Sequence, residues 1–345
     1  MDSIKSLVIR APNWLGDAVM ALPALAAVRA AMPAARITIA AIPAVAPIFE
    51  EETSAAPDEV VTISDRRREA TVLRLGRFEA ALLLPNSFGS AWIARRAGIH
   101  QRWGFRGSLR GPLLTRAVAR PGERVHQSAH YNTLVKALGF EVTESIPAIR
   151  VRQETALRAD ALLSKHAVAP TARVVGFAPG AAYGHAKRWP PSRVAEVVTR
   201  ATREQGVVAV LVGAAGDRDA GREVESALPF GVSVVNLIGR TDLRQLTGVL
   251  ARCTGFVSND SGAMHLAAAL GAPVTAIFGP TDEHATSPLG DHDVILHQVF
   301  CRPCMLRDCP IDHRCMKRIS ADVVFDALSK RLGAGSPSRL DAAHQ

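Results

Sequence analysis

The feature that most constrains this chain is the kind of apolar run that opens each half. Ser6–Arg10 and Val174–Ala178 are short and continuously apolar rather than alternating, the pattern of parallel strands covered on both faces. Each is followed by a turn rich in glycine or proline, from Ala11 to Gly16 in the first copy and from Pro179 to Ala181 plus a longer loop in the second. A helix comes next, 17–31 in the first copy and 191–204 in the second. Strand, turn and helix in that order open an α/β domain. Further strands are expected at Arg36–Ala41 and 80–84 in the first half, and at 207–212, 234–237, 255–258 and Val274–Phe278 in the second. The expected fold is therefore α/β with two doubly wound Rossmann-like domains, 1–150 and 173–320. A linker at 151–172, helical over 153–166, joins them. A last helix spans 321–333, and the tail 334–345 reads as disordered. A length of 345 residues suits two domains of ordinary size.

Open α/β sheets bind ligands beyond the carboxyl ends of their strands. The loops after Arg10, Ala178, Val212, Leu237 and Ser258 are the richest in glycine and polar residues, so a site is expected there, in a central cleft between the domains. Four stretches could carry its chemistry.

In Asn13-Trp14-Leu15-Gly16-Asp17, Gly16 allows a tight turn and close backbone approach. Asp17 reads either as the helix cap or as a carboxylate base aimed into the cleft. In Pro179-Gly180-Ala181-Ala182-Tyr183-Gly184-His185-Ala186-Lys187-Arg188-Trp189-Pro190, small residues free backbone amides. Lys187 and Arg188 add charge just before a helix start, which suits a diphosphate or else a plain basic loop. In Ser258-Asn259-Asp260-Ser261-Gly262-Ala263-Met264-His265, a strand gives way to a helix running to Leu270. Asp260 or Ser261 can cap it, the amides of Ser261 and Gly262 can meet an anion, and His265 lies one turn on; an ordinary cap with a satisfied histidine is the alternative. Finally, Cys301, Cys304, Cys309 and Cys315, with His297 and His313 nearby, could ligate zinc or an iron–sulfur cluster. Their irregular spacing matches no standard finger, and reduced structural thiols are the other reading.

Composition narrows the partners. The formal charge is +9, and residues 95–136 hold nine Lys or Arg against one acid, Glu123. Such a stretch is either a solvated basic face or a seat for a polyanion. The aromatic platforms of an RNA binder are missing, so an anionic lipid surface or phosphorylated glycolipid fits better than nucleic acid. The N-terminus, with Asp2 and Lys5, lacks the basic start and cleavage site of a secretory signal. The uncharged run 262–281 holds His265, Gly271, Pro273 and Gly279 and reads as helix, turn and strand rather than a membrane span. A soluble, cytoplasmic protein is expected.

Taken together, the motifs resemble glycosyltransferase family 9, the bacterial heptosyltransferases. The resemblance rests on Asn-Trp-Leu-Gly-Asp-Ala-Val at 13–19, Pro-Gly-Ala with Ala-Lys-Arg-Trp-Pro at 179–190, Asn-Asp-Ser-Gly-Ala-Met-His at 259–265 and Ile-Phe-Gly-Pro-Thr-Asp at 277–282. In that order they span nearly the whole chain. The resemblance implies a GT-B fold, an inverting transfer, and a last helix that crosses back onto the first domain. The donor is then ADP-L-glycero-D-manno-heptose on the second domain, and the acceptor is the inner-core heptose of heptosyl-Kdo-lipid A on the first. It further implies work at the cytoplasmic face of the anionic inner membrane. By the same resemblance Asp17 is the general base and Lys187 the lysine at the diphosphate. Asp260, Ser261, Gly262 and His265 surround the donor's phosphates and sugar. Thr241 lines the adenine pocket and Asp217 takes the ribose, with Gly16, Ala182, Tyr183 and Arg188 completing the donor contacts. Asn13, Trp14, Arg102, Arg106 and Arg124 take the acceptor. No cofactor is required by this reading, and assistance by a divalent metal stays open. A family member acting on another acceptor, a nucleotide-sugar epimerase and a non-catalytic basic docking module are the rival readings.

Overall fold

The computed structural model describes residues 4–333; the tail expected at 334–345 lies outside the described residues. The chain divides into two compact units, Met1–Arg152 and Gln153–Gln345.

The first unit holds strands β1 Ser6–Arg10, β2 Arg36–Ala41, β3 Glu52–Thr53, β4 Glu59–Thr62, β5 Ala80–Leu83, β6 Gln101–Phe105, β7 Arg116–Val118 and β8 Ile149–Arg150. Its helices are α1 Leu15–Met20, α2 Leu22–Ala31, α3 Ala46–Glu50, α4 Glu69–Leu75, α5 Phe88–Arg96 and α6 Gln127–Ala137. Six strands form one parallel sheet in the order β4-β2-β1-β5-β6-β7, while β3 and β8 make a small antiparallel pair. The order reverses between β1 and β5, the position at which doubly wound sheets take their ligands. Leu7, Val8 and Ile9 of β1 are almost fully buried, which is what their unbroken apolar run required. The helix expected over 17–31 is divided at Ala21. Pro23 sits at the start of α2, where its missing N–H is harmless, whereas inside a continuous helix its ring would clash with the preceding turn.

The second unit holds α7 Gln153–Lys165, β9 Val174–Ala178, α8 Pro191–Gln205, β10 Val208–Leu211, α9 Arg218–Ala227, β11 Val235–Asn236, α10 Leu243–Ala251 and β12 Cys253–Asn259. It continues with α11 Gly262–Ala269, β13 Val274–Phe278, α12 Glu283–Thr286, β14 His292–Leu296, α13 Arg314–Lys317 and α14 Ala321–Gly333. Its sheet, β11-β10-β9-β12-β13-β14, is also parallel, with the reversal between β9 and β12. The segment read as a linker is part of this unit, because α7 packs on α10. A side chain at Gly248 would come within 2.6 Å of Thr155 O and Ala159 Cβ, so the glycine permits the approach. The last helix packs within this unit. Val324, Phe325, Leu328 and Leu332 join Val194, Val198 and Ala201 of α8 in one core. Arg200 lies 3.8 Å from the Phe325 ring centroid, and Arg331 bonds Asp293 of β14 at 2.6 Å. Among the described residues no helix is long and apolar enough to cross a membrane.

Candidate active site

In the first unit, the loop leaving β1 is shaped by a buried ion pair. Arg10 Nε lies 2.7 Å from Glu69 Oε1, both side chains being almost inaccessible. Its remaining nitrogens donate to Ala11 O at 2.6 Å and Asn13 Oδ1 at 3.1 Å. A buried guanidinium with its donors satisfied holds a loop well, since breaking it would strand a charge. Asn13 is thereby fixed, and Trp14 stands 66% exposed beside it.

The helix begins at Leu15 with Trp14 as the extended N-cap residue and no side-chain cap. Asp17 is therefore inside the first turn, which removes the capping role. Gly16 is buried in that same turn of helix, and the chain bends just before it, at Asn13 and Trp14. The Asp17 carboxylate accepts from the Tyr131 hydroxyl at 3.3 Å. Gln127, one turn earlier on α6, also favours its charged form. Burial raises the Asp17 pKa above the usual carboxylate range, and these two side chains oppose that rise. The outcome is an oriented carboxylate more basic than one in water. Burial and the neighbouring Asp17 push the Tyr131 hydroxyl well above its ordinary pKa, so it keeps its proton and donates.

The basic stretch divides into structural and exposed members. Arg102 donates to the carbonyls of Leu113 at 2.6 Å and His100 at 3.0 Å and to that of Ile99. Through Nε and Nη1 it fastens main chain. Arg110 is fully buried and donates to Phe105 O, Asn86 Oδ1, Ser90 Oγ and Pro85 O. Burial and nearby Arg120 lower its pKa to about 10. Arg106 and Arg124 are exposed.

In the second unit, the loops after β9, β12 and β13 meet around Asp260. Lys187 Nζ is 2.5 Å from Asp260 Oδ2, which also accepts from Thr281 Oγ1 at 2.7 Å. Lys187, expected at the diphosphate, is thus paired with Asp260, expected around the same donor. Asn259 anchors both ends of the β9 loop: its amide donates to Pro179 O at 2.7 Å and its oxygen accepts from Trp189 N at 3.2 Å. Ser261 caps α11 by backbone only, with no side-chain bond to the first turn; its hydroxyl pairs with Ser258 Oγ at 3.0 Å. A helix start without a side-chain cap can receive an anion. His265 is buried one turn into α11.

Asp217 accepts from Ala214 N at 3.1 Å and faces Arg188 at 3.5 Å. Gly180 is required beneath it, because an added Cβ would be 2.0 Å from Asp217 Cγ. Thr241 lies beyond β11, on a turn bound to the Asp217 loop through Gly239 N to Gly213 O at 2.9 Å. Ala182 is exposed. The hydroxyl of Tyr183, a residue expected among the donor contacts, donates to Met305 O at 2.9 Å, and its ring lies 4.7 Å from Lys187 Nζ.

That last bond shows what the cysteine segment does. Ala186 N donates to Arg307 O at 2.9 Å, and Met305 N donates to Pro280 O at 2.9 Å, so the segment straps the Lys187 loop to the loop carrying Thr281. Cys301, Cys304, Cys309 and Cys315 are free thiols, with Cys309 Sγ accepting from His313 N at 3.4 Å. Among the described residues no group of three His, Cys, Asp or Glu side chains is placed to hold a metal ion. Burial pushes the Cys315 thiol pKa up.

The sequence missed Tyr131 and Gln127, whose distance from Asp17 along the chain leaves no signal. It also missed the Arg10–Glu69 pair and the strap. Asn259 and Thr281 stood inside recognised motifs, and their polarity at strand ends was the available clue.

The glycosyltransferase family 9 (heptosyltransferase) family model matches residues 66–314. Lipopolysaccharide heptosyltransferase 2 of Salmonella typhimurium is 34% identical over 304 residues, which is 83% of this chain and 86% of that protein. The structure of E. coli ADP-heptose LPS heptosyltransferase II covers 95% of this chain and 99% of its own, with a TM-score of 0.81 and 29% identity. A family 9 glycosyl transferase from Veillonella parvula shares the fold, with a TM-score of 0.83 at 22% identity over 97% of this chain and 99% of its own.

Proposed function

The chain belongs to glycosyltransferase family 9, and from that membership we propose that it moves L-glycero-D-manno-heptose from ADP-heptose onto the inner-core heptose of heptosyl-Kdo-lipid A at the cytoplasmic face of the inner membrane. The observation that carries the catalytic part is Asp17, a carboxylate made more basic by burial and aimed by Tyr131 and Gln127. Its task is to take the acceptor hydroxyl's proton as that oxygen attacks the anomeric carbon. Transfer then inverts the configuration, and the C–O bond to ADP breaks with its electron pair on the diphosphate.

The leaving group needs positive charge and amide donors. Lys187 and the start of α11 are suited to provide them. The Asp260 and Thr281 bonds hold the Lys187 ammonium in place before the donor arrives, so little reorganisation is left for the reaction. Arg188 adds a second cation, and Thr241 and Asp217 are proposed for the nucleoside. Asn13, Trp14, Arg106 and Arg124 are proposed for the acceptor.

The test is incubation with ADP-heptose, with and without heptosyl-Kdo-lipid A, measuring ADP and the acceptor mass. The expected result is ADP release matched by one added heptosyl unit. ADP-heptose consumed at the same rate without acceptor, or no gain in acceptor mass, refutes the proposal.

A further inference from the structure

Loops at the carboxyl edge of the first sheet carry large apolar side chains out of the protein. Phe88 and Trp92, one turn apart in the first half of α5 after β5, are 46% and 44% exposed, and their rings stack at 6.2 Å. Leu109, after the neighbouring β6, is 89% exposed. It stands at φ 57°, directly after Ser108 at φ 48°. Two consecutive non-glycine residues in the left-handed region are costly, and such strain persists only where the surroundings impose it. Here Arg110 imposes it: its buried guanidinium ties this turn to Phe105 O at the end of β6, to Asn86 Oδ1 in the loop before α5 and to Ser90 Oγ within α5. The leucine is thus held rigidly outward, next to the aromatic pair.

The charge around this patch is cationic. Arg66 and Arg67 after β4, and Arg120 after β7, are exposed at the same edge. The Arg120 guanidinium lies over the Leu109 turn, 3.1 Å from where a Cβ on Gly107 would stand. The acids in these loops are Asp65 and Glu123, the former 3.8 Å from Arg68. Apolar and aromatic tips ringed by arginine match the boundary between acyl chains and anionic headgroups.

We propose that the carboxyl edge of the first sheet docks on an anionic bilayer, with Phe88, Trp92 and Leu109 entering the interface and Arg66, Arg67 and Arg120 meeting lipid phosphates. The inference rests on the lipid-linked acceptor proposed above. Docking there presents the edge that holds Asp17, which follows β1 next to β5, to the surface where such an acceptor is anchored.

The full chain is sedimented with phosphatidylcholine vesicles with and without roughly 30% phosphatidylglycerol. Binding to the anionic vesicles only, weakened by salt, is expected. The Phe88→Ser, Leu109→Gly double variant should bind at least about tenfold less, while transferring heptose to a deacylated, water-soluble acceptor at the wild-type rate. Glycine relieves the left-handed turn, and unchanged circular dichroism confirms the fold. Equal binding to both vesicles, no binding, or wild-type binding by the variant overturns the proposal. So does a variant that instead dissociates a dimer, which would make the face a contact between copies. Vesicle binding without any heptose transfer would leave the docking surface standing and remove the functional proposal.

Discussion

Replacing Lys187 by Met keeps the length of the side chain and removes its charge. Asp260, 6% exposed, then loses an ammonium at 2.5 Å and keeps the Thr281 hydroxyl. Breaking a fully buried pair costs about 3–5 kcal/mol because the remaining charge is stranded. The Lys187 side chain is 12% exposed, so water can reach part of the site, and about 2–4 kcal/mol is the appropriate range. For a unit of this size that lowers the melting temperature by roughly 5–15 °C. Trp189 is the only tryptophan of the second unit and is buried beside the loop in question, so its fluorescence reports this transition. Asp260→Asn in the Lys187→Met background removes the stranded charge. The double variant should therefore be more stable than Lys187→Met alone, with a coupling of about 1–3 kcal/mol. A Lys187→Met protein that melts with the wild type, or a cycle with no coupling, would show that this ion pair does not fix the loop.

Other consequences follow from the same geometry. Because burial raises the Asp17 pKa, activity that needs its carboxylate is lost on acidification at a pH above the ordinary carboxylate value. Tyr131→Phe removes a bond that favours the charged form, so the acid limb of kcat/KM should move to still higher pH with ADP affinity unchanged; an unmoved limb would remove Tyr131 from the site. Gly184→Ala places a Cβ 2.4 Å from Arg307 O, so loop or strap must shift. ADP binding, measured by calorimetry, should weaken at least about tenfold, and unaltered binding would dissociate the strap from the donor seat.

Much of this arrangement was legible in the sequence for physical reasons. The central strands β1, β2, β9 and β13 occur as read, because a strand buried on both faces must be apolar throughout. The overlooked strands β4, β7 and β14 are sheet edges, where less cover is needed and charged residues break the run. β6, an interior strand, was hidden by Gln101 and Arg102. The motif residues Lys187, Asp260 and Thr281 proved to be one hydrogen-bonded group, which spacing could suggest because adjacent parallel strands bring their carboxyl ends together. What spacing could not show is how charges are spent. Arg102 and Arg110 look like ligands in a basic run, yet Arg102 bonds main-chain carbonyls, Arg110 bonds carbonyls and the Ser90 hydroxyl, and the Tyr183 hydroxyl bonds Met305. The destination of α14 was equally hidden, since an apolar stripe states that a helix is covered without stating by what.

The most direct test of the central claim is single-turnover heptose transfer by Asp17→Asn, with ADP affinity measured on the same protein. With Asp17 as the general base, transfer falls by roughly 10²–10⁴ while ADP binds as in the wild type. Transfer at the wild-type rate by a protein whose residue 17 has been neutralised in this way would contradict the account.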